Sequence, residues 1–125
     1  MKAIGGLVIE KGKILIVHDP QQGWLFPGGK IKEDETEESC LQREFAEELS
    51  INNLKNIRFY RSYVSQSTKH NREVKVDMYF VELESENLSP SAEIKQAVFT
   101  STPEKYPLIP AAKEIIQDLR KEGLL

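Results

Sequence analysis

Glu44, Glu47 and Glu48 are the residues of this chain best placed to do chemistry, because at positions i, i+3 and i+4 they project from one side of a helix. At about 100° per residue, Leu41, Phe45 and Leu49 form the buried stripe of that helix, with Glu48 about 20° and Glu44 about 60° from Leu41. The acids therefore border the core. A solvated acidic face would place them opposite the apolar stripe and interleave them with lysines, and the stretch from Glu35 to Glu48 contains no lysine. Like charges at this spacing destabilise each other, and partial burial raises their pKa values unless a counter-charge is present. A hard divalent cation is such a counter-charge: Mg²⁺ takes one or two carboxylates, several waters and substrate phosphate oxygens. Arg43 is the only base of this helix, and Glu35 lies a little over two turns before it. The pair reads either as a charge-assisted bond that orients the acids or as a surface salt bridge of little value.

Other elements must hold this helix. Ala3 to Ile9 and Lys13 to His18 are short, aliphatic and β-branched, and Glu10-Lys11-Gly12 between them reads as a hairpin turn. Gly5 and Gly6 mark either a bulge, the reading preferred from sequence, or a close backbone approach. Gln21 to Lys30 reads as loop, with Pro27-Gly28 suited to the centre of a type II turn. The helix is expected from Glu33 to Ser50, with Asp34 as N-cap and Glu37 three residues on. Ile57 to Gln66 and Glu73 to Leu83 alternate as a long hairpin, whose tip at Ser67 to Arg72 carries Lys69, His70 and Arg72. A polar loop from Glu84 to Glu93 and a short strand from Lys95 to Thr100 follow. Pro110 opens a last helix whose apolar face is Ala111, Ala112, Ile115, Ile116 and Leu119, closed by Arg120, Lys121 and Gly123. The order predicts an α+β fold, one sheet covered by helices.

The chain has 125 residues, 39% hydrophobic and 30% charged, which predicts a single domain over 1–125 with a packed core. A formal charge of −3 argues against extended nucleic-acid binding. Cys40 is the only cysteine, so an internal disulfide is excluded, the thiol is expected to be structural and a reducing cytoplasm is the expected setting. The longest aliphatic run, Ile14 to Val17, is far short of the roughly 20 residues of a membrane span, and the first residues lack a signal-peptide pattern.

Gly29, then five residues, Glu35, then seven residues, and Arg43-Glu44-Phe45-Ala46-Glu47-Glu48-Leu49-Ser50-Ile51 resemble the Nudix box, G-x5-E-x7-R-E-U-x-E-E-x-G-U. The preceding Trp24-Leu25-Phe26-Pro27-Gly28-Gly29 also looks like that family's approach to its box. The resemblance implies a Nudix fold, a mixed β-sheet sandwiched between α-helices. It implies hydrolysis of a nucleoside diphosphate linked to another moiety, with Mg²⁺ or Mn²⁺ as cofactor. Carried over residue by residue, Glu44, Glu47 and Glu48 would hold the metal with the Gly29 carbonyl, and Glu35 and Arg43 would be the orienting pair. Homodimers are common in similar proteins, so that state stays open. The sequence departs from the box at Ser50, where the family has glycine; a positive φ there would cost on the order of 1 kcal/mol.

The charge of a pyrophosphate link repels hydroxide, so metal-assisted attack by water is the expected chemistry. No nucleophile constellation competes, since His18 and His70 stand in different segments. Glu47 is the first candidate for proton acceptor and Glu93 the second. Trp24, Phe26, Tyr63 and Tyr79 are candidates to stack on a base, and His18 with Asp19 to meet ribose or base, each against a plain packing role. A small domain without insertions favours a nucleoside triphosphate or similar small nucleotide. The alternatives are ADP-ribose, a nucleotide sugar or a dinucleoside polyphosphate, or a non-catalytic nucleotide-binding regulatory domain. A Ca²⁺-binding helix comes last, because the aspartate-rich EF-hand loop is absent.

Overall fold

A computed structural model describes residues 1–67, 72–85 and 87–125; the expected hairpin tip with Lys69 and His70 lies outside the described residues. The fold is the expected α+β arrangement, a mixed strand layer between two helices, with the strands divided into two four-stranded sheets. The first has the order β5 (Gly28–Lys30), β1 (Lys2–Leu7), β7 (Arg72–Leu83), β6 (Leu54–Ser67), with β1 parallel to β7 and the other pairings antiparallel. The second is built on β3 (Lys13–Asp19), which pairs antiparallel with β2 (Ile9–Glu10), β4 (Gly23–Leu25) and β8 (Gln96–Thr100).

The apolar run Ala3 to Ile9 is therefore two strands in two sheets. Residues 2–7 pair with β5 and β7, while Ile9 turns back on Ile14 through Lys11 and Gly12, both at positive φ (52° and 76°) as a two-residue hairpin requires. Gly5 and Gly6 are not a bulge, since both stay in register with Met78 and Tyr79. A side chain at Gly6 would stand 2.6 Å from the Phe45 ring, so the glycine admits the helix to the sheet. The stretch expected as loop after Gln21 contributes β4 and β5. Pro27-Gly28 is not a type II turn: Gly28 has φ 150° and enters β5 against β1.

Helix α1 (Glu37–Leu49) begins later than expected. Thr36, not Asp34, is the N-cap, and its side chain accepts from the Ser39 N–H while the Ser39 hydroxyl accepts from the Thr36 N–H. Leu41, Phe45 and Leu49 are fully buried, as the period required, with Ile4, Val8, Leu15, Val17 and Val81. Helix α2 (Pro110–Lys121), with proline at its first position, covers the other side with Ala112, Ile115, Ile116 and Leu119 over Leu7, Ile14, Ile16 and Met78. Alternate residues of β3 serve the two cores, so β3 is buried on both faces, and the layering is helix, strands, helix. Strand β6 slips register twice, between Lys55 and Arg58 and between Phe59 and Arg61, with Asn56 at φ 49°. Among the described residues no helix is long and apolar enough to cross a membrane.

Ser50 takes the left-handed conformation expected of it, φ 59° and ψ 31°, as the C-cap of α1. Its N–H donates to Ala46 O at 3.1 Å. We expect Ser50→Gly to raise unfolding free energy by about 1 kcal/mol in urea titrations while leaving turnover within about twofold. A tenfold gain in turnover would show that the position acts on chemistry instead.

Candidate active site

The site is built on the last two turns of α1 and on β5 beside it. Glu44 and Glu48 fall on the helix flank that meets β5, and their relative exposures are only 8% and 4%. A side chain at Gly29 would collide with the Glu44 carboxylate, so β5 approaches the acids this closely only as glycine. The Gly28 N–H donates to Glu48 Oε1 at 3.1 Å. The Gly29 carbonyl lies 3.8 Å from the Cys40 thiol.

Electrostatics work against these two acids. Burial raises the pKa of Glu44, with Glu47 and Glu93 adding to the rise and Arg43 opposing it. Burial, then the Glu44 charge, pushes Glu48 up to about 9 despite the Gly28 N–H. Both also stand toward the negative end of the helix dipole, with no basic residue in the last turn.

Arg43 holds the other side of the cluster. Its Nε donates to Glu35 Oε2 at 2.5 Å and its Nη2 to Glu35 Oε1 at 2.9 Å, a bidentate pair that holds the Glu35 carboxyl down at about 2. The same Nη2 donates to Lys30 O at 3.1 Å. Nη1 donates to Glu44 Oε1 at 3.0 Å and to Glu47 at 3.3 Å. Of the two readings of this pair, the arrangement favours orientation, because one guanidinium links β5, Glu35 and two acids of the cluster. Glu47 is half exposed at the rim. As the side chains stand, no three His, Cys, Asp or Glu among the described residues converge as an ion's ligands, since Glu47 turns to Arg43. The donor chemistry nevertheless fits a hard divalent cation: two adjacent buried carboxyls lack a full counter-charge, and a third oxygen donor stands one helical turn away.

The remaining expected site residues are scattered. Trp24 is buried in the α2-side core, its ring 5.0 Å from His18 and 4.9 Å from Tyr106, so its surface is committed to packing rather than open for a base. Phe26 and Tyr63 are buried as well, and the Tyr63 hydroxyl donates to Asp118 at 2.7 Å. His18 is half-buried on β3, opposite Trp24 and Gln96. Tyr79 donates to Glu37 at 2.6 Å at the first turn of α1 and packs edge-on against Phe59. Asp19 binds the Gln21 N–H and the Gln22 amide, a strand-end role. Glu93 is exposed, yet its charge reaches both Glu44 and Glu48. Cys40 is buried, and burial pushes its thiol up to about 11, consistent with a structural role. Sequence reasoning missed Ser89 and Ser91, whose N–H groups donate to Leu49 O and Glu48 O at the end of α1. An irregular polar loop offers no periodicity from which to find them.

A NUDIX domain family model matches residues 1–119. An 8-oxo-dGTP diphosphatase of Buchnera aphidicola subsp. Schizaphis graminum is 39% identical over 61 residues, 45% of this chain and 46% of that protein. A CTP pyrophosphohydrolase of Escherichia coli (strain K12) is 36% identical over 56 residues, 41% of this chain and 42% of that protein. The match thus spans less than half the length of these curated relatives. The NUDIX domain of Shewanella oneidensis NrtR, solved in complex with ADP ribose, superposes with a TM-score of 0.79 at 17% identity over 98% of this chain and 87% of that one, and shares the fold.

In the metal-free protein the two shifted carboxyls act in opposite pH windows. Glu48 is raised, so its contribution to stability is full below about 4.5 and is lost as pH rises toward about 9; Glu35 is lowered, so its contribution is full above about 4.5 and is lost as pH falls toward about 2. Calorimetry in a chelator should find Glu48→Gln melting about 4 °C higher than wild type at pH 8, the shift that roughly 1 kcal/mol gives in a domain of this size. The gain should vanish below pH of about 4.5, and a variant less stable than wild type at pH 8 would contradict the assignment.

Proposed function

The chain belongs to the NUDIX domain family, and from that premise we propose that it is a divalent-metal-dependent pyrophosphohydrolase of small nucleotides. The observation that carries this reading is the buried Glu44–Glu48 pair, two like charges held together where a bound cation would relieve both. Nucleoside triphosphates are the favoured substrates. The names of both curated relatives, 8-oxo-dGTP diphosphatase and CTP pyrophosphohydrolase, point to that class.

Glu44, Glu47 and Glu48, with the Gly29 carbonyl, would hold the cation, which when bound neutralises phosphate charge and lowers the pKa of water. Water adds to phosphorus as the anhydride P–O bond breaks, giving a nucleoside monophosphate and pyrophosphate. Glu47 takes the proton of that water, since it is the member of the cluster that solvent reaches. Arg43, braced by Glu35, fixes the direction of Glu44 and shares its remaining donor between Glu44 and Glu47. Glu93, the second candidate acceptor, acts on turnover through its charge on Glu44 and Glu48.

Incubating the protein with nucleoside triphosphates, ADP-ribose, nucleotide sugars and dinucleoside polyphosphates, with and without Mg²⁺ or Mn²⁺, tests the proposal. Pyrophosphate should appear from a triphosphate only when metal is present. Glu47→Gln and Glu48→Gln should each lower kcat by about 10²-fold or more, the scale of a lost acid–base or metal-binding group. Full turnover in both variants, or in chelator, would overturn the reading.

A further inference from the structure

The last four carbonyls of a helix have no partner within it. In α1, Ala46 O accepts from the Ser50 N–H at 3.1 Å, and the loop before β8 supplies the rest. Leu49 O accepts from the Ser89 N–H at 3.0 Å, Glu48 O from the Ser91 N–H at 2.9 Å, and Glu47 O from the Ser91 hydroxyl. Serine suits position 91 because one residue must offer both an amide and a hydroxyl to neighbouring carbonyls.

The chain then turns at once. The Ile94 N–H donates back to Ser91 O at 3.1 Å, with Ala92 left-handed at φ 55°, and Ile94 is buried in the α1-side core. The next amide, Lys95 N–H, donates to His18 O at 2.9 Å. Glu93 is thus the second central residue of a four-residue turn. One end of the turn hangs on the backbone of Glu47 and Glu48, and the other is anchored in the core and on β3. The effect of the Glu93 charge on Glu44 and Glu48 agrees with that placement.

We propose that Ser91 is a positioning residue: by suspending its turn from the carbonyls of Glu47 and Glu48, it fixes Glu93 relative to the helix carboxylates. The proposal rests on the hydrolase reading for its kinetic consequence, and on the hydrogen bonds alone for its structural one. The turn that carries Glu93 is registered to the backbone of the helix end that bears Glu47 and Glu48, so a shift of that end carries Glu93 with it.

The test compares wild type with Ser91→Ala, Ser91→Thr, Glu93→Gln and the Ser91→Ala/Glu93→Gln double variant. Turnover of a nucleoside triphosphate at saturating Mg²⁺ is one readout, and amide hydrogen exchange of the metal-free protein is the other. Ser91→Ala should lower kcat about tenfold with KM within about twofold, and Ser91→Thr should restore it. In the Glu93→Gln background the same change should cost less than about twofold, because its effect passes through Glu93. Exchange at Ser91 and Ile94 should speed about tenfold in Ser91→Ala while Leu41 and Phe45 stay protected. Losses that multiply in the double variant, or unchanged turnover in Ser91→Ala, would overturn the proposal. If wild type hydrolyses none of the nucleotides, the hydrolase reading fails by itself, and exchange then decides: faster at Ile94 upholds the suspended turn, unchanged overturns it.

Discussion

The burial of two carboxyls side by side at the negative end of a helix is the constraint around which the rest of this structure is arranged. Three adverse effects coincide at Glu44 and Glu48: loss of water, repulsion between neighbours, and an unfavourable helix dipole. The fold contains them without cancelling them. Gly28 offers an N–H, Gly29 gives up its side chain, and Arg43 sits against Glu44 and Glu47 while Glu35 keeps the guanidinium in place. A protein selected for stability alone would replace such a pair by apolar side chains. Its retention is a cost in stability that the proposed cation site would return.

Why this helix could be read in advance, and its surroundings could not, is a matter of range. The stripe of Leu41, Phe45 and Leu49 and the flank of Glu44 and Glu48 are set by a 3.6-residue period, which every residue of the helix reports. The start of the helix is not periodic. Asp34 and Thr36 are both good caps, and the choice goes to Thr36, where Ser39 completes a reciprocal pair and Glu37, in the first turn, meets Lys2 and Tyr79 from distant strands. Likewise nothing local divides Ala3 to Ile9 into two strands. The division is made by β7, some seventy residues on, which takes residues 2–7 and leaves Ile9 to β3.

The candidate site shows the same limit. Glycine at positions 6 and 29 announces that something must come close, but only the assembled structure says that it is Phe45 in one case and Glu44 in the other. Aromatic character marked Trp24, Phe26 and Tyr63 as possible base contacts, and type alone cannot tell a stacking platform from a core residue. The loop that brings Glu93 near the acids has no repeating pattern at all. Its conformation is dictated by the unmet carbonyls of α1, a demand that arises once the helix exists.

Strand β6 closes one side of its sheet over 14 residues, and among the described residues its outer margin pairs with no other strand. Such a margin is an open template for a neighbouring molecule. Here the two register slips and the left-handed Asn56 interrupt the row of amides and carbonyls, and Lys55 and Arg58 place positive charge along it. Before Arg61 an incoming chain would find only short straight runs, whereas from Arg61 to Ser67 the register is unbroken. The irregularity that spoils the first half of β6 as a regular strand therefore makes that stretch of the sheet border a poor template for edge-to-edge growth.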